Sequence, residues 1–158
     1  MNETTKQAYL SFRLNKELFA VSAFKVLEVL EIQNITQIPN TPPYILGVIN
    51  FRGDVLPVID SRSKFGMPEG TITKKTVIIV LDLIVNNEPM RLGATADGVK
   101  DVIEIDDREM KEVPKMGISY NTEFIKGMIY KDNGFIMVLD VDKVFSTDDI
   151  KLMEDVIS

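Results

Sequence analysis

Short apolar segments separated by polar turns run through the whole chain, which predicts a protein built mainly from β-strands. Apolar and polar residues alternate over residues 8–14, as expected of a strand with one buried face. β-branched residues crowd residues 76–85, which predicts a strand buried on both faces. Residues 26–32 fit either a strand or a helix, and the neighbouring strands favour a strand.

A hairpin is predicted where residues 48–51 and 55–59 flank Arg52-Gly53-Asp54, with Gly53 supplying the turn. A short capped helical turn is expected before the hairpin, ending at Gly47. A similar turn is expected after it, at residues 60–66. Since the turn is compact and lies between two apolar strands, the Arg52 side chain should be exposed at its tip.

The hairpin and its flanking turns recur later in the chain. A shift of 80 positions places Ile45 over Ile125, Gly47 over Gly127 and Asp60 over Asp140 without a gap. Although unrelated apolar hairpins also resemble one another, the recurrence of capped turn, glycine, hairpin and capped turn in the same order favours duplication. The sequence therefore predicts an all-β fold of two duplicated barrels, each with roughly five strands and single helical turns.

These patterns suggest approximate boundaries for two subdomains within a single domain spanning residues 1–158. The first would comprise residues 8–66, and the second would comprise residues 76–145, after a polar linker. Residues 146–158 are predicted to form a C-terminal helix with Ile150, Met153 and Ile157 on one face, docked against the first subdomain.

Composition narrows the classes of function. The formal net charge of −6 argues against nucleic acid as the main partner, because phosphate binding requires a clustered basic surface. The absence of histidine and cysteine removes the commonest general base, the thiol nucleophile and nearly every zinc site. We therefore expect no enzymatic activity, no cofactor and no metal. A hydrolase that uses carboxylates alone is the remaining enzymatic alternative.

The sequence also gives expectations about location. The N-terminus lacks the pattern of a secretory signal, and the longest apolar run, residues 77–85, is too short to span a bilayer. The lack of cysteine fits the cytoplasm. These features also argue against a cell-adhesion role for Arg52-Gly53-Asp54, which is a short and unspecific match.

Glu28 and Arg52 are the most informative charged residues. Glu28 interrupts an otherwise apolar predicted strand, and an arginine at a hairpin tip can pair with a carboxylate. The alternative is that both are solvated surface charges that contribute little. Both interpretations stay open on the residues alone, and the family resemblance described next favours a paired or interfacial role.

The region from residue 40 to residue 65 closely resembles the CheW family of bacterial and archaeal chemotaxis. The resemblance is carried by Asn40-Thr41-Pro42, residues 47–53 (GVINFRG), residues 57–60 (PVID) and Lys64-Phe65, with residues 26–29 (VLEV) upstream. It extends from Tyr9 to Phe145 in the order found in the family. Phe51 and Ser61 depart from the leucine that is common at each position.

The resemblance implies two SH3-like five-stranded β-barrels and a non-enzymatic adaptor. Such a protein would link the cytoplasmic tips of chemoreceptors to the regulatory domain of the histidine kinase CheA, within membrane-associated receptor arrays but without inserting into the membrane. Kinase contact would involve edges and turns of the first barrel, and the receptor would bind beside the groove between the barrels. The implied partner-binding residues are Val26, Glu28, Gly47, Arg52 and Gly53.

An alternative within the same family is a CheW-like regulatory domain from a larger chemotaxis kinase or coupling protein. The initial Met1 and the lack of receiver or ATP-binding motifs favour a separate adaptor.

Overall fold

Two five-stranded sheets form the protein in a computed structural model that describes residues 6–68, 70–85, 87–114, 121–145 and 147–157. The predicted all-β class with short helices is confirmed. The strands are β1 (Lys6–Leu14), β2 (Glu17–Ser22), β3 (Val26–Glu31), β4 (Ile45–Phe51), β5 (Asp54–Ile59), β6 (Val77–Val85), β7 (Glu88–Ala96), β8 (Gly98–Asp106), β9 (Ile125–Lys131) and β10 (Gly134–Leu139). The α-helices are α1 (Ser61–Phe65), α2 (Val141–Val144) and α3 (Thr147–Ile157), and one-turn 3-10 helices occupy Ala23–Lys25 and Asp107–Glu109.

The two sheets have the same strand order when β1 to β5 are matched in turn with β6 to β10. The first sheet runs β8-β1-β2-β10-β9 and the second runs β3-β6-β7-β5-β4. Each therefore contains a hairpin from one repeat and three strands from the other. We call the barrel formed by the first sheet barrel A and that formed by the second barrel B.

This strand exchange corrects the expected division into residues 8–66 and 76–145, because β1 and β2 pair with β8 and β10 rather than with β3 to β5. The parallel pairings β2–β10 and β5–β7 join strands that are distant along the chain. Hydrophobic periodicity fixes the face that a strand buries but does not identify its neighbour in the sheet. The boundaries that followed the repeats along the chain therefore do not follow the barrels.

Each barrel is closed by a short bridge outside the main strands. In barrel B, the Thr36 and Val48 backbones exchange two hydrogen bonds of 2.9 Å. In barrel A, Lys111 and Met128 exchange bonds of 2.8 and 2.9 Å. Val48 and Met128 are 80 positions apart, so the repeats share the closure as well as the hairpins.

Apolar side chains form one core inside each barrel and a larger core between the barrels. This arrangement corrects the expectation that β1 has only one buried face. Leu10 and Phe12 belong to the core between the barrels, whereas Tyr9 belongs to the core of barrel A, and both Tyr9 and Ser11 are 1% exposed. Both faces of β1 are buried because the strand lies between two cores.

The one-turn helix α1 follows a strand of barrel B and contacts β7 of that barrel, while its Phe65 ring reaches aromatic side chains of barrel A. The Asp60 side chain caps it by accepting hydrogen bonds from the backbone of Arg62 and Ser63. The Phe65 ring lies 4.4 Å from that of Phe124 and 5.8 Å from that of Phe19, measured between centroids.

The helix α2 makes the converse connection. It follows a strand of barrel A and packs on β6 of barrel B, with Val141 and Val144 buried. The carboxylate of Asp142 lies 2.9 Å from the Lys25 ammonium and accepts a hydrogen bond from the backbone of Ile84. The helical turns α1 and α2 thus connect the two barrels.

The C-terminal helix α3 contacts β5, as expected of a docking helix. Ile150 is 6% exposed and Met153 is fully buried. Ser146 and the side chain of Ile157 lie outside the described residues. Within the described ranges, no helix is long and apolar enough to cross a bilayer.

A hydrogen-bonded group ties α3 to the start of β4. The Tyr44 hydroxyl donates to Asp149 Oδ1, and the Lys64 ammonium lies 2.8 Å from Asp149 Oδ2. Burial, then the hydrogen bond and charge of Asp149, raises the pKa of Tyr44 above its ordinary value. The folded protein consequently keeps Tyr44 neutral at pH values where an unfolded chain ionises it.

We expect alkaline pH to destabilise the native protein more steeply than a Tyr44→Phe variant. The raised pKa means that the contribution of Tyr44 is complete below about pH 10 and is lost as the pH rises toward the folded-state pKa. Urea unfolding followed by circular dichroism between about pH 8 and 11 measures this difference. Parallel stability curves for the two proteins would contradict the assignment.

Candidate partner-binding site

The tip of the β4–β5 hairpin is a two-residue turn at Arg52 and Gly53, with φ of 54° and 86°. Positive φ at both central positions is typical of the type I′ turn, whose twist matches that of paired strands. The Asn50 side chain accepts a hydrogen bond of 3.2 Å from the Gly53 backbone. The Arg52 guanidinium lies 4.8 Å from the centroid of the Phe51 ring. The predicted hairpin and the exposure of Arg52 are confirmed.

Arg52 Nη2 lies 3.3 Å from Glu28 Oε1, so the structure brings together the two charged residues singled out in the sequence. Their side chains remain 58% and 41% exposed. Glu28 belongs to β3 and Arg52 follows β4, the two edge strands of the sheet in barrel B. An ion pair this exposed contributes little to stability. We call this region, defined by Glu28, Arg52 and Gly53, the barrel B seam.

The other two predicted residues lie away from the exposed tip. Gly47 is buried on β4 with φ of 147°, and an added Cβ would lie 2.1 Å from the Thr36 carbonyl oxygen. Val26 begins β3 and packs against the core between the barrels. Gly47 therefore permits barrel closure, and Val26 connects the seam strand to the core between the barrels. The partner-binding role of both residues stays a prediction.

Exposed apolar side chains beside the turns were not predicted from the sequence. In barrel B, Val55 is 45% exposed opposite Asn50. At the positions 80 residues later, Tyr130 and Phe135 are 61% and 53% exposed, and their rings meet edge to face at 5.1 Å. The repeat could have shown that these residues flank a second hairpin tip. Their exposure could not be predicted, because aromatic residues in strands are usually buried.

The cavity between the barrels is too small for a ligand, and the acidic side chains form no metal site in the described part of the chain. A cavity of about 30 Å³ lies in the core between the barrels, room for about one water molecule. Among the described residues, no cluster of three or more acidic, histidine or cysteine side chains is arranged to hold a metal ion. The larger clefts, of about 190 to 580 Å³, are open to solvent and lie at the surface.

Comparison with known proteins identifies the family. The family model described as "CheW-like domain" matches residues 8–149. The chain belongs to the CheW-like family. This assignment confirms the family resemblance of the hairpin and its flanks.

Curated CheW relatives match over nearly their whole length. The chemotaxis protein CheW of Klebsiella aerogenes is 31% identical over 154 residues, which cover 98% of this chain and 90% of the relative. The chemotaxis protein CheW of Bacillus subtilis is 31% identical over 141 residues, which cover 89% and 87%.

A solved CheW structure supports the fold as well. The crystal structure of the scaffolding protein TtCheW from Thermoanaerobacter tengcongensis superposes with a TM-score of 0.79 at 29% identity, covering 94% of this chain and 92% of that one. The two five-stranded sheets correspond to the SH3-like barrels expected of a CheW-like protein. The relatives named here are chemotaxis proteins and a scaffolding protein, which places this chain in a chemotaxis scaffold family.

Proposed function

We propose that this chain is a non-enzymatic chemotaxis adaptor that couples the cytoplasmic tips of chemoreceptors to the regulatory domain of the histidine kinase CheA. It would act in the cytoplasm, recruited to membrane receptor arrays. Partner binding would involve Val26, Glu28, Gly47, Arg52 and Gly53, with the receptor beside the groove between the barrels. Barrel edges and turns would bind the kinase domain.

The observation that supports this proposal most directly is the exposed Glu28–Arg52 pair on the barrel B seam. The guanidinium makes one hydrogen bond with Glu28 among the described residues, and 58% of its side chain faces solvent. Because such a pair stabilises a fold by less than about 1 kcal/mol, stability does not explain its placement at the hairpin turn. A partner carboxylate or carbonyl group could engage the remaining N–H groups of Arg52 with little rearrangement.

The two hairpin tips also differ in chemistry although their backbones correspond. The first tip carries Arg52-Gly53, whereas the second carries Asp132-Asn133, both with positive φ, beside the exposed Tyr130–Phe135 pair. Two similar barrels therefore present different surfaces, as an adaptor with unlike partners requires. Weak contacts at each surface would act together in an array through multivalency.

Arg52→Ala is expected to reduce receptor-dependent stimulation of the kinase while changing the free energy of unfolding by less than about 1 kcal/mol. A pull-down with a receptor tip and with the kinase regulatory domain, separately and together, locates the lost contact. Lys131→Ala, which removes a cation beside the second tip, is the matched control and should retain coupling. Full coupling by Arg52→Ala, or its unfolding, would contradict the proposal.

A charge exchange separates partner contact from internal pairing. The Glu28→Arg/Arg52→Glu double variant can restore an ion pair across the seam but presents the opposite charge at the tip. We expect this variant to fold normally and to remain defective in receptor coupling. Restored coupling would show that the pair matters only for the shape of the seam.

A further inference from the structure

The partly buried group formed by Tyr44, Lys64 and Asp149 joins three separate parts of the chain. Asp149 lies in the first turn of α3, Lys64 lies on α1, and Tyr44 directly precedes β4. The side chains of Lys64 and Asp149 are only 18% and 13% exposed, so solvent screens their attraction much less than that of Glu28 and Arg52. The Lys64 ammonium also lies 4.7 Å from the centroid of the Tyr44 ring.

Tyr44 is in turn fixed to the base of the hairpin by its backbone. The Tyr44 carbonyl oxygen accepts a hydrogen bond of 2.7 Å from the amide of Asp60, the residue that caps α1. The adjacent amide of Ile45 donates to Pro42 at 3.0 Å. Movement of Tyr44 would therefore disturb the start of β4, the end of β5 and the turn before them.

The helix α3 also lies beside the irregular segment that leads into β4. A cleft of about 250 Å³ is lined by Ile38, Pro39, Asn40, Thr41 and Pro42 on one side and by Leu152 and Asp155 of α3 on the other. Asn40 has φ of 63°, so this segment contains a residue in the left-handed region. The segment lies outside the ladders of the two sheets, apart from the bridge at Thr36, and depends on neighbouring elements for its conformation.

The second repeat lacks this arrangement. Phe124 stands 80 positions after Tyr44 and stacks on Phe65, and its backbone makes the equivalent bond to the Asp140 amide at 2.9 Å. Phenylalanine has no hydroxyl group for a carboxylate to bind. The polar attachment of α3 is therefore specific to the hairpin that carries Arg52.

We propose that Asp149 is a positioning residue which, through Tyr44 and Lys64, couples the docking of α3 to the conformation of residues 38–46 and hence to the barrel B seam. Asp149 itself would not contact the receptor or the kinase. The link to partner binding rests on the proposed function, whereas the coupling between α3 and residues 38–46 does not. By thermodynamic linkage, a partner that binds the ordered seam would also strengthen the docking of α3.

Hydrogen exchange at four backbone amides tests the coupling without any partner. In Asp149→Ala, we expect the Ile45 and Asp60 amides to exchange at least about tenfold faster, as expected from the loss of a hydrogen bond to a partly buried charge. The equivalent amides of Ile125 and Asp140 should change by less than about twofold, since the second hairpin has no such attachment.

The neighbouring Asp148 provides a matched control. It is exposed in the same helical turn, so Asp148→Ala removes the same charge from the same end of α3. We expect it to leave all four amides close to their wild-type rates. Equal acceleration in the two alanine variants, or no acceleration in Asp149→Ala, would overturn the proposal. If Asp149→Ala does not fold, Tyr44→Phe, which removes only the hydroxyl group, must accelerate Ile45 and Asp60 selectively for the proposal to stand.

Binding of a receptor tip tests the link to function. We expect saturating receptor tip to slow exchange of α3 amides in the wild type and to bind Asp149→Ala several-fold more weakly than Asp148→Ala. Unchanged α3 exchange on saturation would overturn the link to the site. Failure of the receptor tip to bind the wild type at all would instead refute the proposed function and leave the partner-free exchange result standing.

Discussion

Gly47→Ala is expected to destabilise the protein by roughly 3–5 kcal/mol, within the range for changes that force backbone strain and break hydrogen bonds. The added Cβ would lie 2.1 Å from the Thr36 carbonyl oxygen, and this neighbour is backbone that cannot rotate away. Relieving the clash would break the two Thr36–Val48 hydrogen bonds that close barrel B. The φ of 147° at Gly47 adds a conformational cost for any residue with a side chain.

Gly127→Ala is the matched control, because Gly127 occupies the same place in barrel A. Its added Cβ would lie 3.2 Å from the Lys111 carbonyl oxygen, so a small shift suffices, and we expect a cost of about 1 kcal/mol. Urea unfolding followed by circular dichroism measures both variants. Equal costs would show that the closure of barrel B does not depend on Gly47. Gly47→Asp should lose receptor coupling chiefly by the same route, with a charge added to the clash.

Asp97→Ala is expected to cost about 3–5 kcal/mol, because it leaves a buried guanidinium without its anion. The Arg62 side chain is 6% exposed, and its Nη1 lies 2.5 Å from Asp97 Oδ1. Asp97 Oδ2 also accepts a hydrogen bond of 2.6 Å from the Asn15 backbone. Asp97 lies in the turn from β7 to β8, where the chain passes from barrel B to barrel A. The loss would therefore loosen the junction of the barrels.

Two further variants test this explanation. Asp101→Ala removes an exposed carboxylate on β8 and should change the free energy of unfolding by less than about 0.5 kcal/mol. Arg62→Met in the Asp97→Ala background removes the unpaired charge and should recover part of the loss. An Asp97→Ala variant as stable as Asp101→Ala would show that the Arg62–Asp97 pair contributes nothing.

The parts of the fold that could be predicted from the sequence are those that depend on local chemistry. The turns at Arg52-Gly53 and Asp132-Asn133 have residues suited to hairpins, and adjacent strands then pair without long-range information. The cap at Asp60 likewise depends on neighbouring residues, and the repeat of 80 positions is visible in the sequence itself. These signals predicted the all-β class, the duplication and the exposed Arg52.

The features that could not be predicted depend on contacts between distant residues. The exchange of strands depends on which barrel the chain enters after β2 and after β7. The pattern of apolar residues does not indicate this. Tyr44 and Asp149 are 105 positions apart, and Lys64 and Asp149 are 85 apart, so nothing local connects them. The Glu28–Arg52 pair could be suggested from the sequence because each residue is unusual within its own segment. The partner-binding role of the five predicted residues stays a prediction.

The exchange of hairpins between repeats limits how this protein can be shortened. A stop codon placed after the first repeat would leave β1 and β2 without β8 and β10, and β5 without β7. Such a truncation would yield no complete barrel at all, rather than one working half. Separately produced N- and C-terminal fragments would be expected to acquire structure only on mixing, by reconstituting both barrels together.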